Sequence, residues 1–297
     1  MLVDLRGLVS SKDFNNKNLE SLFLNAESLK KRTKKSLSRK YESSNLGTVA
    51  LLFEEPSTRT KTSFNEAICT LGGRTLYFDF KTSSLSKGET FEETLFNLNS
   101  LEIDGIVIRT PKEGLPKLLK DLDLDMWIVN AGDGKGEHPT QALGDTFTLM
   151  DSIGLKNKKI TIIGDVEHSR VAHSLINLWP GSGVDLSLLP TSKFETKLNT
   201  FESLEEAQEC SDVLYVLRPQ KERWGEGSDI IDSYSKLTVR DLKENQYLMA
   251  PGPTMPGVDI SPGLIHHKRS FVFDQVKWGV YARMAIISHL MEGGDFE

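Results

Sequence analysis

The segment Pro56-Ser57-Thr58-Arg59-Thr60 sets three hydroxyls and a guanidinium on four consecutive positions. Upstream lies the apolar run Thr48 to Phe53; downstream, Phe64, Ile68 and Leu71 recur at helical spacing. A strand therefore stops at a proline and a helix starts, with Ser57, Thr58, Arg59 and Thr60 in its first turn. Backbone N–H groups are unpaired at a helix start, and hydroxyls and a forked guanidinium beside them make a phosphate site without glycine. Ser57 by itself would be an ordinary helix cap. A cap does not account for an arginine flanked by hydroxyls.

Other segments invite functional labels that their residues do not support. Gly164-Asp165-Val166-Glu167-His168-Ser169-Arg170 follows a strand, but it lacks the three-glycine spacing that admits a pyrophosphate. Gly132-Asp133-Gly134-Lys135-Gly136 is not followed by Gly-Lys-Ser/Thr and reads as a flexible turn. The basic run Lys30 to Lys35, with Arg39 and Lys40 beyond, closes a helix whose apolar face is Leu19, Leu22, Phe23 and Leu29. Cations are ordinary there. His168, His173, His266, His267 and His289 show no metal-ligand spacing and read as surface or satisfied core histidines.

The elements that must position the chemistry alternate. Strands are expected at Thr48–Phe53, Thr75–Phe80, Gly105–Ile108 and Met126–Val129. A second set is expected at Lys159–Ile163, Val184–Leu189, Val213–Val216, Gln246–Met249 and Ser270–Phe273. Helical periods between them predict an α/β fold with two doubly wound, mostly parallel sheets. Leu143, Phe147 and Met150 mark a helix joining the two domains. Val276, Val280, Met284, Ile287 and Met291 mark a core-facing stripe on the last helix. Open sheets of this kind bind ligands in the crevice at their strand ends, so a site between the domains is expected.

Composition narrows the class. Lys+Arg 36 against Asp+Glu 42 gives −6, so an anionic substrate must be held by local arginines, and neither nucleic acid nor an anionic membrane is attracted overall. Met1 to Arg6 lacks the apolar run of a signal peptide, and no stretch is long and apolar enough to span a membrane. Cys69 and Cys210 offer neither a disulfide framework nor a zinc site, which fits a cytoplasmic protein.

The chain resembles the aspartate and ornithine carbamoyltransferases, and four motifs carry the likeness in order. They are Pro56-Ser57-Thr58-Arg59-Thr60 with Leu71-Gly72-Gly73; Ser83-Ser84-Leu85-Ser86-Lys87-Gly88-Glu89-Thr90; Arg109 after a strand; and His138-Pro139-Thr140-Gln141. The resemblance implies two domains. Residues 1–145 with the C-terminal helix 275–297 would bind carbamoyl phosphate, and residues 146–274 the acceptor. It implies a homotrimer in which Ser83 and Lys87 enter a neighbouring subunit's site. A regulatory chain or an enzyme of the pyrimidine pathway could join it. Neither metal nor cofactor is implied.

Gly164 to Ser174 and Leu214 to Arg223 resemble the aspartate branch, and no His-Cys-Leu-Pro segment of the ornithine branch precedes the last helix. Aspartate brings two carboxylates, which Arg170 and Arg218 would meet with Gln220 as a further contact. By the same resemblance Ser57, Thr58, Arg59, Thr60 and Arg109 hold the phosphate. Thr60, Arg109 and His138 face the carbamoyl oxygen, Gln141 with carbonyls near Gly252 and Pro253 orients the carbamoyl NH2, and Lys87 touches both substrates. Ala250 stands where the family usually has His, and Trp278 where it has Asn.

Overall fold

The computed structural model describes residues 7–35, 47–78, 88–220, 223 and 237–294. The chain forms two compact units, Met1–Gly144 with Gly279–Glu297 and Asp145–Trp278. Unit 1 contains β1 (Gly7–Leu8), α1 (Asn16–Lys35), β2 (Thr48–Phe53), α2 (Thr58–Thr70) and β3 (Arg74–Phe78). It continues with α3 (Phe91–Ser100), β4 (Gly105–Thr110), α4 (Leu115–Lys120) and β5 (Trp127–Asp133). Its five strands are parallel in the order β1-β5-β4-β2-β3.

Helix α5 (Pro139–Ser152) carries the chain into unit 2. There β6 (Lys159–Gly164), α6 (Arg170–Leu178), β7 (Asp185–Pro190), β8 (Asn199–Thr200), α7 (Leu204–Cys210), β9 (Val213–Val216) and β10 (Tyr247–Met249) follow. The second sheet is also parallel, in the order β10-β9-β6-β7-β8. Helix α8 (Val272–Met291) returns to unit 1.

Both sheets share a topological feature that decides where ligands can enter. From β2 the chain crosses to β3 on one side and then comes back to β4 on the other, so β2 and β4 are neighbours whose following segments diverge. From β6 it crosses to β7 and comes back to β9 in the same way. A crevice opens at the carboxyl ends of such strand pairs. The interior of β4 fixes that edge firmly. Ile106, Val107 and Ile108 are fully buried, each stabilising the sheet by about 1.5–3 kcal/mol. Helix α3 seals this sheet with Phe91, Leu95 and Leu98 packed on Leu52, Ile106 and Ile128. It starts at a reciprocal cap in which Glu93 N donates to Thr90 Oγ1 at 3.1 Å and Thr90 N to Glu93 Oε2 at 2.8 Å.

Three expectations change. Ser270–Phe273 is not a strand: Ser270 makes one isolated bridge to Leu248, and α8 already begins at Val272. The apolar run there is a helix start packed beside β10, and a short apolar run does not distinguish the two. The stripe expected along α8 also fails at Val276, which is 51% exposed, whereas Trp278, Ala282, Ala285, Ile286 and Leu290 are buried. The helix belongs to unit 2 up to Trp278 and to unit 1 from Gly279, so each half buries its own face. Finally, strands β1 and β8, of two residues each, have no counterpart in the sequence reading. The expected strand Thr75–Phe80 is Arg74–Phe78 in the structure, and Asp79 and Phe80 lie outside the described residues.

Candidate active site

In unit 1 the chain leaves β2 at Phe53 and enters α2 at Thr58, with Ser57 extended at the helix start. Ser57 occupies the N-cap position, and its hydroxyl makes no capping bond. Thr60 is buried against the helix, while Arg59 and Thr58 face outward. Phe64, Ala67 and Ile68 are fully buried and anchor the helix whose first turn carries these donors. The register pairs Phe53 with Arg109 on β4, and Glu54 N donates to Arg109 O at 2.8 Å. Arg109 therefore stands at the divergent strand ends beside Phe53 to Glu55, where the chain leaves β2 for α2. Its Nε lies 3.2 Å from Glu55 Oε2, and both side chains are partly shielded from water. Any anion that reaches Arg109 has to compete with that carboxylate.

His138 is buried one residue before α5, with Nδ1 3.4 Å from Thr140 Oγ1. The preceding turn, expected to be flexible, is held by a buried carboxylate. Asp133 accepts from Glu137 N at 2.7 Å, Gly114 N at 2.7 Å and Asn130 Nδ2 at 3.1 Å. Glu137 in turn accepts from Ser10 Oγ at 2.6 Å and Ser11 N at 2.7 Å. Turn residues bonded this way define where the next side chain points, and the next one is His138. Gln141 is half-buried on the first turn of α5.

Unit 2 repeats the arrangement at β6 and β9. Arg170 is buried at the first position of α6, whose N-cap Ser169 Oγ accepts from Ala172 N at 3.3 Å. Arg218 follows β9, and its Nη1 donates to Pro219 O at 2.8 Å. Buried Asp165 connects the two segments. It accepts from His168 Nδ1 at 2.7 Å, from His168 N at 3.3 Å and from Gln220 N at 3.3 Å. Arg223 Nη1 donates to His168 O at 2.7 Å from the other strand end. Arg170, Arg218 and Gln220 thus sit on two loops cross-linked through Asp165 and His168. Asp259, on the segment after β10, is buried and accepts from Met255 N at 2.9 Å and Ile260 N at 2.7 Å. Burial raises its carboxyl above the ordinary value, opposed by those N–H groups and by the Arg218 guanidinium.

Gly252 and Pro253 lie on the same segment after β10, where Gly252 has φ 54°, the left-handed region that glycine adopts without strain. Two arginines at each of two strand switch points, hydroxyls at a helix start and a buried histidine can hold two small anions and stabilise charge on an oxygen.

Comparison with known proteins decides the family. Residues 6–151 match the family model described as the aspartate/ornithine carbamoyltransferase carbamoyl-P binding domain, and residues 156–290 match the Asp/Orn binding domain of the same description. The chain belongs to the aspartate/ornithine carbamoyltransferase family. It is 36% identical to the aspartate carbamoyltransferase catalytic subunit of Campylobacter lari, covering 97% of this chain and 99% of that one. It is 39% identical to the same subunit of Thermus aquaticus, covering 83% and 85%. Among solved structures it is similar to the catalytic subunit of M. Jannaschii aspartate transcarbamoylase, with TM-score 0.86, 28% identity and coverage of 97% and 99%. It is also similar to the Trypanosoma cruzi enzyme in complex with carbamoyl phosphate and aspartate, with TM-score 0.84, 28% identity and 95% of each chain covered.

Within this carbamoyltransferase fold, Ser83 and Lys87 lie outside the described residues. Arg59, Thr60, Arg109, His138 and Gln141 fall in unit 1, and Arg170, Arg218, Gln220, Gly252 and Pro253 in unit 2. The sequence reading did not single out Glu55, Asp133 or Asp165, whose carboxylates bond the segments that carry the expected site residues, whereas His168, read as a surface or satisfied core histidine, is bonded to Asp165 at 2.7 Å. Asp133 and Asp165 each have partners three or four residues away, whereas Arg109 beside Glu55 and Gln220 on Asp165 are distant in sequence. The Trp278 departure is a packing feature: the ring is buried edge-on to Phe147 at 6.2 Å, and Nε1 donates to Asp151 Oδ2 at 3.0 Å.

Proposed function

We propose that this carbamoyltransferase moves the carbamoyl group of carbamoyl phosphate to the α-amine of L-aspartate, giving N-carbamoyl-L-aspartate and phosphate. The observation that carries the acceptor choice is the cross-linked pair of loops bearing Arg170, Arg218 and Gln220. Two forked guanidiniums suit a substrate with two carboxylates and repel the cationic side chain of ornithine. Relatives named aspartate carbamoyltransferase across most of the chain support the same reading.

The chemistry needs no enzyme-bound nucleophile, because carbamoyl phosphate is already activated. Ser57, Thr58, Arg59, Thr60 and Arg109 hold the phosphate. The amine lone pair attacks the carbamoyl carbon, and negative charge builds on the carbamoyl oxygen. Thr60, Arg109 and His138 donate to it, where fixed donors lower the barrier most. Gln141 and the carbonyls of Gly252 and Pro253 orient the carbamoyl NH2. The bond from carbon to the phosphate oxygen then breaks, and the departing phosphate takes the proton from the amine. Arg170, Arg218 and Gln220 align L-aspartate so that attack is effectively intramolecular.

In this proposal the working form is a cytoplasmic homotrimer in which Ser83 and Lys87 come from the adjacent subunit and Lys87 touches both substrates. Among the described residues no helix is long and apolar enough to cross a membrane. The test is an acceptor panel: purified protein with carbamoyl phosphate and either L-aspartate or L-ornithine, scored for the carbamoylated product. Product with L-aspartate is expected; product with L-ornithine alone would reverse the acceptor assignment.

A further inference from the structure

Strand β10 ends at Met249, which pairs with Tyr215 on β9. The next N–H, that of Ala250, therefore leaves the ladder and donates to Gln275 Oε1 at 2.9 Å. A side-chain amide has fixed polarity, so with its oxygen committed to Ala250 its nitrogen must meet an acceptor. That acceptor is Asp145 Oδ1, at 2.9 Å. The other carboxylate oxygen, Oδ2, takes the Tyr215 hydroxyl at 2.6 Å. Asp145 and Tyr215 have no solvent exposure and Gln275 has 2%. The circuit closes on itself: Tyr215 to Asp145, to Gln275, to Ala250, and back along the ladder to Tyr215. Trp179 backs it, edge-on to the Tyr215 ring at 5.6 Å, with Nε1 donating to Thr146 Oγ1 at 2.9 Å. Burial first, and then the Asp145 carboxylate, push the Tyr215 phenol well above its ordinary value, so it stays a donor.

We infer that Gln275, held by Asp145 and Tyr215, is a positioning residue that sets the Ala250–Pro253 segment and with it the carbonyls that grip the carbamoyl NH2. The inference rests on the carbamoyl-transfer reading. A segment that has just left its sheet has few constraints, and the buried amide supplies one two residues before Gly252. Losing it moves the grip on the carbamoyl end and leaves the phosphate donors on α2 and β4 untouched.

The test compares wild type with Gln275→Met, which keeps the volume and removes both hydrogen bonds. Folding is followed by circular dichroism, and both carbamoyl phosphate KM and the inhibition constant of inorganic phosphate are measured. The KM is expected to rise about ten-fold, the equivalent of one lost hydrogen bond, with phosphate inhibition unchanged. An unchanged KM in the folded variant, or an equal loss of phosphate binding, overturns the inference. If Gln275→Met does not fold, Tyr215→Phe decides by the same two constants. It is expected to raise the KM in the same direction, and a folded Tyr215→Phe with wild-type KM overturns the inference. Wild-type protein that forms no N-carbamoyl-L-aspartate would instead count against the reading beneath it.

Discussion

Asp165→Asn isolates the cross-link between the two acceptor loops. The carboxylate collects three donors: the His168 ring at 2.7 Å, His168 N and Gln220 N, both at 3.3 Å. An asparagine of the same shape offers one acceptor oxygen and one NH2. Whichever way it turns, the NH2 faces a donor, and at least one bond to a buried charged group is lost. Such a bond contributes about 1.5–3 kcal/mol, and 1.4 kcal/mol is a factor of ten, so the loss corresponds to roughly 10- to 150-fold. The damage belongs to the loops carrying Arg170 and Gln220, so it is expected in kcat/KM for L-aspartate. Inhibition by inorganic phosphate, which on the proposed function reads the donors of unit 1, is expected to stay within about two-fold, a difference below half a kcal/mol. Initial-rate kinetics varying each substrate in turn measure both. A folded Asp165→Asn variant with wild-type kcat/KM for L-aspartate would refute the idea that Asp165 holds these loops in register.

Trp278→Ala removes a buried ring and its bond to Asp151; a loss of about 3–5 kcal/mol in unfolding free energy is expected by urea denaturation. The raised Tyr215 phenol contributes stability that is whole below pH 10, its ordinary value, and is lost as pH climbs above that toward the folded value. Thermal melts from neutral to strongly alkaline pH should therefore fall more steeply for wild type than for Tyr215→Phe. Mixing an Arg59→Ala chain with a Lys87→Ala chain should restore some turnover, since hybrid trimers would contain sites with both residues intact; no recovery speaks against subunit sharing.

Much of the scaffold could be read from the chain because buried parallel strands announce themselves as apolar runs, as Thr48–Phe53 and Val213–Val216 do. The turn proposed to hold the phosphate stands out for a local reason: hydroxyls and an arginine lie within one helical turn. Strands of two residues carry no period, so β1 and β8 left no trace. The long-range polar links were equally silent. Asp145 and Gln275 are 130 residues apart, and Asp165 and Gln220 are 55 apart. Nothing near Gln275 in sequence says that its amide ends a strand elsewhere. The turn at Gly132–Gly136 looked loose because glycine allows looseness, yet three donors on Asp133 remove it.

The assignment of the phosphate to the donors of unit 1 and of the acceptor to the arginines of unit 2 faces its most direct test in equilibrium binding of carbamoyl phosphate, measured by calorimetry without acceptor. Arg59→Ala should weaken that binding by about a hundred-fold, as removal of a charge-assisted, forked contact implies, while Arg170→Ala binds it as wild type does. Equal loss in the two variants, or none in Arg59→Ala, would contradict it.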